Sequence, residues 1–404
     1  MLERPSSRLT QEEMHVVGGG RDLVAELSRV VSGEVRFDAY SRMLYSSDAS
    51  LYQIQPVGVV LPKTIDDVQA TVEIAVRHGV PVLPRGGGSS LAGQTVGQAI
   101  VIDFSKYMDQ VLAFDAEART VRVEPGLNFT ALNQQMAQHG LMIGPDPASA
   151  NRATIGGSIG NNATGSHSIL YGMMADNVVD TDVILADGTM ARFGPVAPDN
   201  LDALGRADTL EGRIYRDIPR IVSDITDEIL AHWPKHWRRA SGYNLDRLAA
   251  ALMPPNERAK LSFDSRFRPP VADPTRIDKF NIAQLFTGSE GTLGVITAAT
   301  VPLVPKPDCV GIAVVHFNKL LEACAATPDI LEEDPSACEL LDKQLMDLAR
   351  AQPEWANRLH FVEGDPEAVL LVEFYGENER DIAAKLDHFT AQMRDRSYQG
   401  AIVP

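Results

Sequence analysis

The sequence has few cysteines and no long apolar run. Its three cysteines, Cys309, Cys324 and Cys338, are odd in number and widely spaced, which excludes a disulfide framework and a CxxC metal site. No run of about 18 apolar residues is present, and the first 20 residues are charged throughout, so neither a membrane span nor a secretory signal is predicted. We therefore expect a cytoplasmic protein, while peripheral contact with a membrane is left open.

Positive charge is also scarce. The chain has 37 Lys and Arg against 54 Asp and Glu, a formal net charge of -17. Nucleic-acid binding requires a basic surface, so that function class is excluded. An anionic small substrate is still compatible, because a local group of arginines can reverse the potential inside one pocket.

The length and the residue pattern indicate two or three domains of the α+β class. At 404 residues the chain exceeds one ordinary core. Between residues 56 and 104 it reads as strand, helix and strands, with Thr64 capping a helix that ends before Gly79. Residues 109–194 are richer in strands and carry a hairpin signal at Asp187-Gly188. Residues 280–286 read as a further strand. Strand-like and helical segments then mix without a repeating βαβ order, which favours an α+β fold.

A first Gly-rich segment, PRGGGSSLAGQ, occupies residues 84–94. Consecutive glycines allow positive φ angles and let backbone amides approach an anion, and serine hydroxyls add donors. The spacing of Gly88 and Gly93 matches a P-loop, but Gln94 stands where that motif needs its lysine, so nucleotide hydrolysis is not predicted. By itself the segment is equally compatible with a plain surface loop.

Two further segments suggest a large ligand. Residues 144–165 read as one long loop of small residues, and such loops in compact domains are usually functional. Small side chains let the backbone lie flat against a planar ligand, and Thr154 and the asparagines can satisfy its polar edges. Residues 288–297 (GSEGTLGVIT) form a tight turn entering a β-branched strand.

The order of these motifs resembles one family. The chain carries, in sequence, PRGGGSSLAGQ, PDPAS, TIGGSIGNNATG, LYG, VILADGT, SGYNLD and FTGSEGTLGVIT. This set is similar to the FAD-binding domain of the vanillyl-alcohol-oxidase / p-cresol-methylhydroxylase (PCMH-type) superfamily. Within it, the set most resembles the D-lactate and D-2-hydroxyglutarate dehydrogenase branch of FAD-linked oxidases. The resemblance covers roughly residues 40–305.

The resemblance implies a PCMH-type FAD-binding domain of two α+β subdomains, followed by a partial α+β cap domain. We predict an N-terminal extension at 1–40, the FAD-binding domain at 41–305 and the partial cap at 306–404. The subdomains are placed at about 41–108 and 109–305, with a Pro-rich insertion at about 253–276. We expect the chain to be either a fragment of a longer FAD and iron–sulfur enzyme or a short flavin subunit.

The resemblance also implies where FAD lies. The first segment would hold the pyrophosphate, and the other two would line the flavin and ribityl chain. The implied cofactor-binding residues are Pro84, Arg85, Gly86, Gly87, Gly88, Ser89, Ser90, Gly93, Gln94, Pro145, Asp146, Ala148, Ser149, Thr154, Gly156, Gly157, Gly160, Asn161, Asn162, Gly165, Tyr171, Gly172, Glu290, Val295 and Ile296. Relatives that tether FAD through this loop have histidine where Ser89 stands, so non-covalent FAD is predicted. His167, the one nearby histidine, is interpreted as hydrogen-bonded to backbone.

The catalytic residues are not evident. The dehydrogenase branch has an HxGDGNxH-like segment late in its cap, and this sequence lacks it. No metal site is predicted from the nine scattered histidines. The catalytic base is therefore unassigned. The candidates for substrate contact are Arg238, Arg239, Tyr243 and Asn244, and the two arginines are better interpreted as solvated surface charge.

The predicted function is that of a FAD-dependent dehydrogenase. It would oxidise a D-2-hydroxy acid such as D-lactate or D-2-hydroxyglutarate by hydride transfer to flavin, within a longer or multi-subunit FAD and iron–sulfur enzyme. The electron acceptor, whether quinone, iron–sulfur centre or flavoprotein, is not identified. Three alternatives are a flavin-carrying electron-transfer subunit without its own substrate site, a reductase of UDP-N-acetylglucosamine enolpyruvate, and a small-molecule binding module without FAD.

Overall fold

The computed structural model describes residues 20–240, 242–262, 270–396, 398 and 402–403. The chain divides into two compact units. The first unit contains the described residues up to 165 and from 172 to 304. The second contains residues 166–171 and the described residues from 305 onward.

The first unit begins with a small mixed sheet. Its elements are α1 (Gly20–Val30), β1 (Glu34–Arg36), α2 (Ala39–Leu44), β2 (Gly58–Leu61), α3 (Ile65–Arg77), β3 (Val82–Arg85) and β4 (Ile100–Asp103). The strand order is β1-β2-β4-β3, with β2 and β3 both parallel to β4 and β1 antiparallel to β2. The carboxyl ends of β3 and β4 therefore lie together at one edge of the sheet.

Helix α3 follows its sequence signals, as predicted. The Thr64 hydroxyl accepts a hydrogen bond from the Asp67 amide at 3.2 Å, and the backbone turns at Gly79 with a φ of +63°. Val68 and Val72 are buried on one face of the helix, as its amphipathic spacing predicts.

The predicted extension at 1–40 needs revision. Residues 1–19 lie outside the described residues, but Leu23 and Leu27 of α1 are fully buried in a core cluster with β2 and α3. Strand β1 extends the sheet through its pairing with β2. Residues 20–36 are thus part of the first sheet layer, because an amphipathic helix and an edge strand bury their apolar side chains there.

Asp67 fastens this layer to the start of α3. Its carboxylate accepts hydrogen bonds from the Ser32 amide at 2.7 Å, the Ser32 hydroxyl at 2.9 Å and the Lys63 amide at 2.8 Å. Burial alone would raise the pKa of this carboxyl, but the Lys63 and Ser32 amides hold it below its usual value of 3.8. The charged form is therefore favoured by folding.

We expect Asp67 to make stability depend on acid pH. Because its pKa is lower in the folded state, its contribution is complete above the unfolded value of 3.8 and is lost as pH falls through the lower folded pKa. Urea unfolding of Asp67→Asn should show a smaller loss of stability on acidification than the unmodified protein. The control is Asp66→Asn, the exposed neighbour in the same helical turn. Equal pH dependence of the two variants would contradict this role.

The second part of the first unit contains a six-stranded sheet. Its strands are β5 (Val111–Asp115), β6 (Thr120–Val123), β7 (Leu141–Ile143), β8 (Asp180–Ile184), β9 (Met190–Phe193) and β12 (Val295–Pro305). The order is β5-β6-β12-β8-β9, and β7 also pairs with β12. The predicted hairpin at Asp187-Gly188 joins β8 and β9, and Gly188 has the positive φ of +82° that such a turn requires.

Helices and short elements cover this sheet. They are α4 (Phe129–Met136), α5 (Ile155–Asn161), β10 (Pro195–Val196), α7 (Leu201–Leu204), α8 (Leu210–Asp224), α9 (Thr226–His232), α10 (Leu245–Leu252), β11 (Phe280–Asn281) and α11 (Ala283–Phe286). The strand predicted at 280–286 is wrong beyond Asn281, where the Asn281 side chain accepts from the Ala283 amide at 2.9 Å and the chain continues into α11. Residues 263–269 of the predicted Pro-rich insertion lie outside the described residues.

The second unit is a four-stranded antiparallel sheet with helices. Its elements are α6 (Ser168–Tyr171), β13 (Cys309–Phe317), α12 (Leu320–Leu331), β14 (Ala337–Asp342), α13 (Lys343–Arg350), α14 (Pro353–Ala356), β15 (Ala368–Gly376), α15 (Glu379–Asp395) and β16 (Ile402–Val403), and the strand order is β14-β15-β13-β16. Alternate residues of β13 and β15 pack with α12 and α15, as in Ala313, Val372 and Phe389. Within the described ranges no helix is long and apolar enough to cross a membrane.

Candidate functional site

A cavity of about 400 Å³ lies within the first unit. Three chain segments form its walls: the loop after β3, the segment leading into and out of α5, and the turn before β12. The loop starts where the parallel strands β3 and β4 end, the edge at which open α/β sheets bind ligands. The three Gly-rich sequence motifs therefore meet at one place.

Glycine is required where the first loop packs against residues 152–154. A Cβ on Gly86 would overlap the Thr154 hydroxyl, and one on Gly87 would overlap the carbonyl oxygen of Arg152. Gly88 has a φ of +64°, in the left-handed region that favours glycine. The backbone of this loop is consequently exposed to the cavity without intervening side chains.

Arg85 holds the first loop in shape. Its guanidinium donates to the carbonyl oxygens of Thr95 at 3.0 Å and Ser47 at 2.9 Å, and it lies 5.3 Å from the centre of the Tyr45 ring. Burial lowers the pKa of Arg85, while the Asp103 and Asp48 carboxylates oppose that shift. The side chain thus joins both ends of the loop to the preceding segment.

Helix α5 forms the second wall, which corrects the interpretation of 144–165 as one long loop. The buried Thr154 hydroxyl caps the helix by accepting from the Gly157 amide at 3.2 Å. A Cβ on Gly156 would press on Pro125, whereas Gly160 has nothing near the place of a Cβ. Capping therefore forms a short helix despite its three glycines.

The turn before β12 forms the third wall. The Gly288 amide donates to the Ile159 carbonyl and the Glu290 amide to the Gly160 carbonyl, each at 2.9 Å. Gly288, Glu290 and Gly291 have φ angles of +86°, +53° and +79°. Positive φ at a non-glycine residue such as Glu290 is strained, and strained backbone concentrates at functional sites. Across the cavity, the Gln94 side-chain amide donates to the Glu290 carboxylate at 3.2 Å.

Many of the predicted cofactor residues line this cavity. They are Pro84, Arg85, Gly86, Gly87, Gly88, Ser89, Ser90, Gln94, Ser149, Thr154, Gly156, Gly157, Gly160, Asn161, Glu290 and Ile296. The structure does not place Gly93, Pro145, Asp146, Ala148, Asn162, Gly165, Tyr171, Gly172 and Val295 in its lining.

Local geometry explains several of these differences. Val295 and Ile296 point to opposite faces of β12, so Val295 packs in a core cluster while Ile296 reaches the cavity. Asn162 is buried at the end of α5, where its side chain donates to the Arg239 carbonyl at 3.2 Å and accepts from the Ala175 amide at 2.9 Å. Tyr171 belongs to the second unit.

The cavity also contains residues that the predicted set did not name individually, some of them within the predicted segments and others, such as Phe104, Pro125 and Ala240, outside them. Its further lining residues include Leu91, Ala92, Thr95, Phe104, Pro125, Pro147, Ala153, Ser158, Ala163, Thr164, Ala240, Ser289, Gly291 and Gly294. Phe104 directly follows β4, so the rule that ligands bind at the carboxyl ends of parallel strands could have found it. Pro125 had no such signal, because only tertiary packing brings it to Gly156.

The four substrate-contact candidates have different environments. Arg238 is exposed, and its guanidinium donates to the hydroxyl of the cavity-lining Thr164 at 3.3 Å. Arg239 is buried in an ion pair with Asp246, so its interpretation as solvated surface charge is wrong. The buried Asn244 amide donates to the Thr287 carbonyl at 2.7 Å, and the Tyr243 hydroxyl lies 2.9 Å from the Thr292 hydroxyl.

His167 lies in the second unit and pairs with a carboxylate. Its Nε2 is 2.7 Å from Glu373 Oε1, and its ring stacks on Tyr375 with centroids 5.4 Å apart. The Ser336 hydroxyl donates to the same oxygen at 2.7 Å. Burial would raise the pKa of Glu373, but the hydrogen bonds from His167 and Ser336 hold it below its usual value of 4.5. His167 therefore has an ionisable partner, which its interpretation as a backbone-bonded loop histidine did not include.

The chemistry of the cavity fits a large anionic, planar ligand. Glycine, serine and small apolar residues dominate its lining, and Arg85 and Glu290 are its only charged residues among those described. No histidine, cysteine or tyrosine belongs to this described lining, so it offers no side chain of the kinds that tether a flavin covalently. Within the described part of the chain, no group of three or more His, Cys, Asp or Glu could hold a metal ion.

Comparison with known proteins identifies the family. Residues 56–194 match the FAD binding domain, and residues 306–402 match the C-terminal domain of FAD linked oxidases. The chain belongs to the PCMH-type FAD-linked oxidases. Its cofactor is accordingly FAD, bound non-covalently.

Curated relatives are hydroxy-acid dehydrogenases and a related subunit. The D-2-hydroxyglutarate dehydrogenase of Escherichia coli is 27% identical over 92% of this chain and 35% of its own length. Glycolate oxidase subunit GlcD of Bacillus subtilis is 29% identical over 78% of this chain and 52% of its own. D-lactate dehydrogenase [cytochrome] 1 of Saccharomyces cerevisiae is 27% identical over 81% and 43%. The chain thus spans about a third to a half of these relatives.

Solved structures share the fold. Alkyldihydroxyacetonephosphate synthase aligns with a TM-score of 0.62 at 18% identity, covering 95% of this chain and 62% of that one. p-Cresol methylhydroxylase aligns with a TM-score of 0.61 at 15% identity, covering 98% and 66%. The predicted PCMH-type α+β fold is confirmed.

Proposed function

We propose that this protein is a FAD-dependent dehydrogenase that oxidises a D-2-hydroxy acid such as D-lactate or D-2-hydroxyglutarate. The observation that carries the proposal is the cavity formed by the three Gly-rich segments in a chain of the FAD-linked oxidase family. Relatives named D-2-hydroxyglutarate and D-lactate dehydrogenase support the substrate class. We further propose a cytoplasmic location and a quinone, iron–sulfur or flavoprotein electron acceptor.

The cavity residues divide the work of holding the cofactor. The amides of Gly86–Gly88 and the hydroxyls of Ser89 and Ser90 would bind the pyrophosphate, since they are the densest group of donors in the lining. The α5 segment and Ile296 would contact the flavin and ribityl chain. When bound, FAD supplies the two-electron chemistry, accepting hydride from C2 of the hydroxy acid.

Arg238 is the best-placed cation for a substrate carboxylate. Its guanidinium is exposed and touches Thr164, which lines the cavity, whereas Arg239 is already neutralised by Asp246. An arginine fork matches a carboxylate in two parallel hydrogen bonds. The net charge of -17 makes such a local cation necessary for attracting an acid.

The direct test is an anaerobic absorbance titration of the purified protein. D-lactate and D-2-hydroxyglutarate are added separately, with the L-enantiomers as controls. Bleaching of the flavin band by a D-acid alone is expected. A yellow protein that dithionite reduces and no hydroxy acid bleaches would overturn the proposal.

Arg238→Met is expected to raise KM for the hydroxy acid by roughly 10- to 100-fold, because a charged hydrogen bond to substrate is lost. Arg238→Lys should recover part of the effect, since it keeps the charge without the fork. The control is Arg220→Met, an exposed arginine of α8 paired with Asp217. Steady-state kinetics with an artificial acceptor provide the measurement. An unchanged KM in Arg238→Met would remove this residue from the substrate site.

A flavin-carrying electron-transfer subunit without its own substrate site is the second candidate. The absence of histidine from the described cavity lining favours it, because no imidazole base is available there. A relative named as a subunit also supports it. In this case the isolated chain keeps FAD and exchanges electrons with reductants, but no hydroxy acid is turned over.

A further inference from the structure

Helix α2 is packed with its apolar side outward. Tyr40, Met43 and Leu44 are 78%, 59% and 58% exposed. These three residues lie on one face of the helix, because residues three and four apart are neighbours on its surface. Ser41, a polar residue, is instead buried on the inner face. A surface helix ordinarily shows the opposite arrangement, so the exposed face of α2 calls for a partner.

The apolar surface continues into the segment that follows. Leu51 is fully exposed at 101% and Tyr52 is 58% exposed. The Ile54 amide donates to the Ser46 carbonyl at 2.8 Å, which folds this segment back towards α2. The segment also contacts α2 directly, since the Gln53 side-chain amide lies 3.7 Å from the sulfur of Met43.

The same surface rests on the first loop of the cavity. The Tyr52 ring occupies the place of a Cβ on Gly93, and Leu91, two residues earlier, is 80% exposed. The Ala49 amide donates to the Gly88 carbonyl at 3.1 Å. We call the surface the outer apolar face, defined by Tyr40, Met43, Leu44, Leu51, Tyr52 and Ile54.

The outer apolar face is almost uncharged. Residues 39–55 contain one cation and one anion, Arg42 and Asp48, in a chain with a net charge of -17. Arg42 donates to the Pro56 carbonyl at 2.8 Å, and Asp48 accepts from the Thr95 hydroxyl at 2.8 Å. Two copies of this acidic chain therefore repel each other less across this face than across an acidic surface. A basic partner would instead bind where the surface is acidic.

We propose that the outer apolar face binds the same face of a second copy of this chain, related by a two-fold axis. Two-fold dimers are the commonest oligomers, and their interface uses one patch on both subunits. The exposed side chains amount to roughly 800 Å², about what each partner buries in a stable interface. Exposed tyrosine, methionine and leucine without charge are the composition of an interface core.

Sedimentation equilibrium of the FAD-loaded protein at micromolar concentration tests the dimer. The unmodified protein is expected to have twice the chain mass, and Leu51→Glu and Tyr40→Glu the mass of one chain, because each places two carboxylates near the two-fold axis. The control is Leu321→Glu, which changes a 79% exposed leucine of α12 in the second unit and should stay dimeric. Retention of the FAD absorbance in all three variants shows that each of them is still folded.

Two results would overturn the proposal. One is a single-chain mass for the unmodified protein. If that monomer also binds phosphatidylcholine vesicles and Leu51→Glu does not, the face binds lipid and not a second copy. The other is a dimer that both glutamate variants of the face leave intact while they retain FAD.

Discussion

Gly87→Ala is expected to weaken FAD binding by about 100-fold, equivalent to about 2.8 kcal/mol. An added Cβ would overlap the Arg152 carbonyl oxygen, a backbone atom that cannot move without shifting the start of α5. The loop must then leave the wall against which it packs, and its amides no longer converge on one ligand. Fluorescence titration of the apoprotein with FAD measures the change.

The matched control for this variant is Gly97→Ala. Gly97 lies in the same connection between β3 and β4, but a Cβ there would make only an ordinary contact, 3.6 Å from a methyl group of Leu83. Its FAD affinity should match that of the unmodified protein. Equal affinities in Gly87→Ala and Gly97→Ala would show that close packing of the first loop does not set FAD binding.

Asp176→Asn is expected to lower the free energy of unfolding by about 3–5 kcal/mol. The Asp176 side chain is fully buried, and its carboxylate accepts a 2.6 Å hydrogen bond from Arg247, whose side chain is 8% exposed. Burial alone would lower the pKa of Arg247, but the charges of Asp176 and Asp246 raise it, so the guanidinium stays protonated. Asparagine keeps the size of the residue but removes the negative charge that pairs with the Arg247 guanidinium.

Urea unfolding followed by tryptophan fluorescence measures this loss. Glu257→Ala is the control, because it removes an ion pair with Lys260 in which both side chains are exposed. The free energy of unfolding should fall by about 0.5 kcal/mol or less. The double variant Asp176→Leu/Arg247→Met should recover much of the stability, since both charges leave the interior together. A loss in Asp176→Asn as small as that in Glu257→Ala would contradict a structural role for the buried pair.

Local signals predicted the elements well where they act over a few residues. Thr64 caps α3 as expected, because a cap needs only an amide three residues ahead. The same rule could have revealed α5 behind Thr154, but its three glycines suggested a loop. The strand that begins at Phe280 ends at Asn281. Its side chain accepts a hydrogen bond from the Ala283 amide, which a longer strand would have paired with a neighbouring strand.

The candidate site was likewise predicted in part from local sequence signals. The motif order in the sequence was sufficient to identify the FAD-linked oxidase family and to find most of the cavity wall, because glycines that must approach another backbone are specified by residue type. The assignment of individual side chains was less complete. Strand alternation turned Val295 away from the cavity and Ile296 towards it, a choice that depends on which face of β12 the core covers.

The sequence alone determined the fold family, the cofactor and the positions of the Gly-rich walls. The tertiary structure decided the roles of the charged and polar side chains. Arg85 clamps its loop through the distant Ser47, Arg239 is buried against Asp246, and Asn244 holds the Thr287 carbonyl. Burial and hydrogen-bond partners of such groups depend on residues far away in the chain, so no local pattern specifies them.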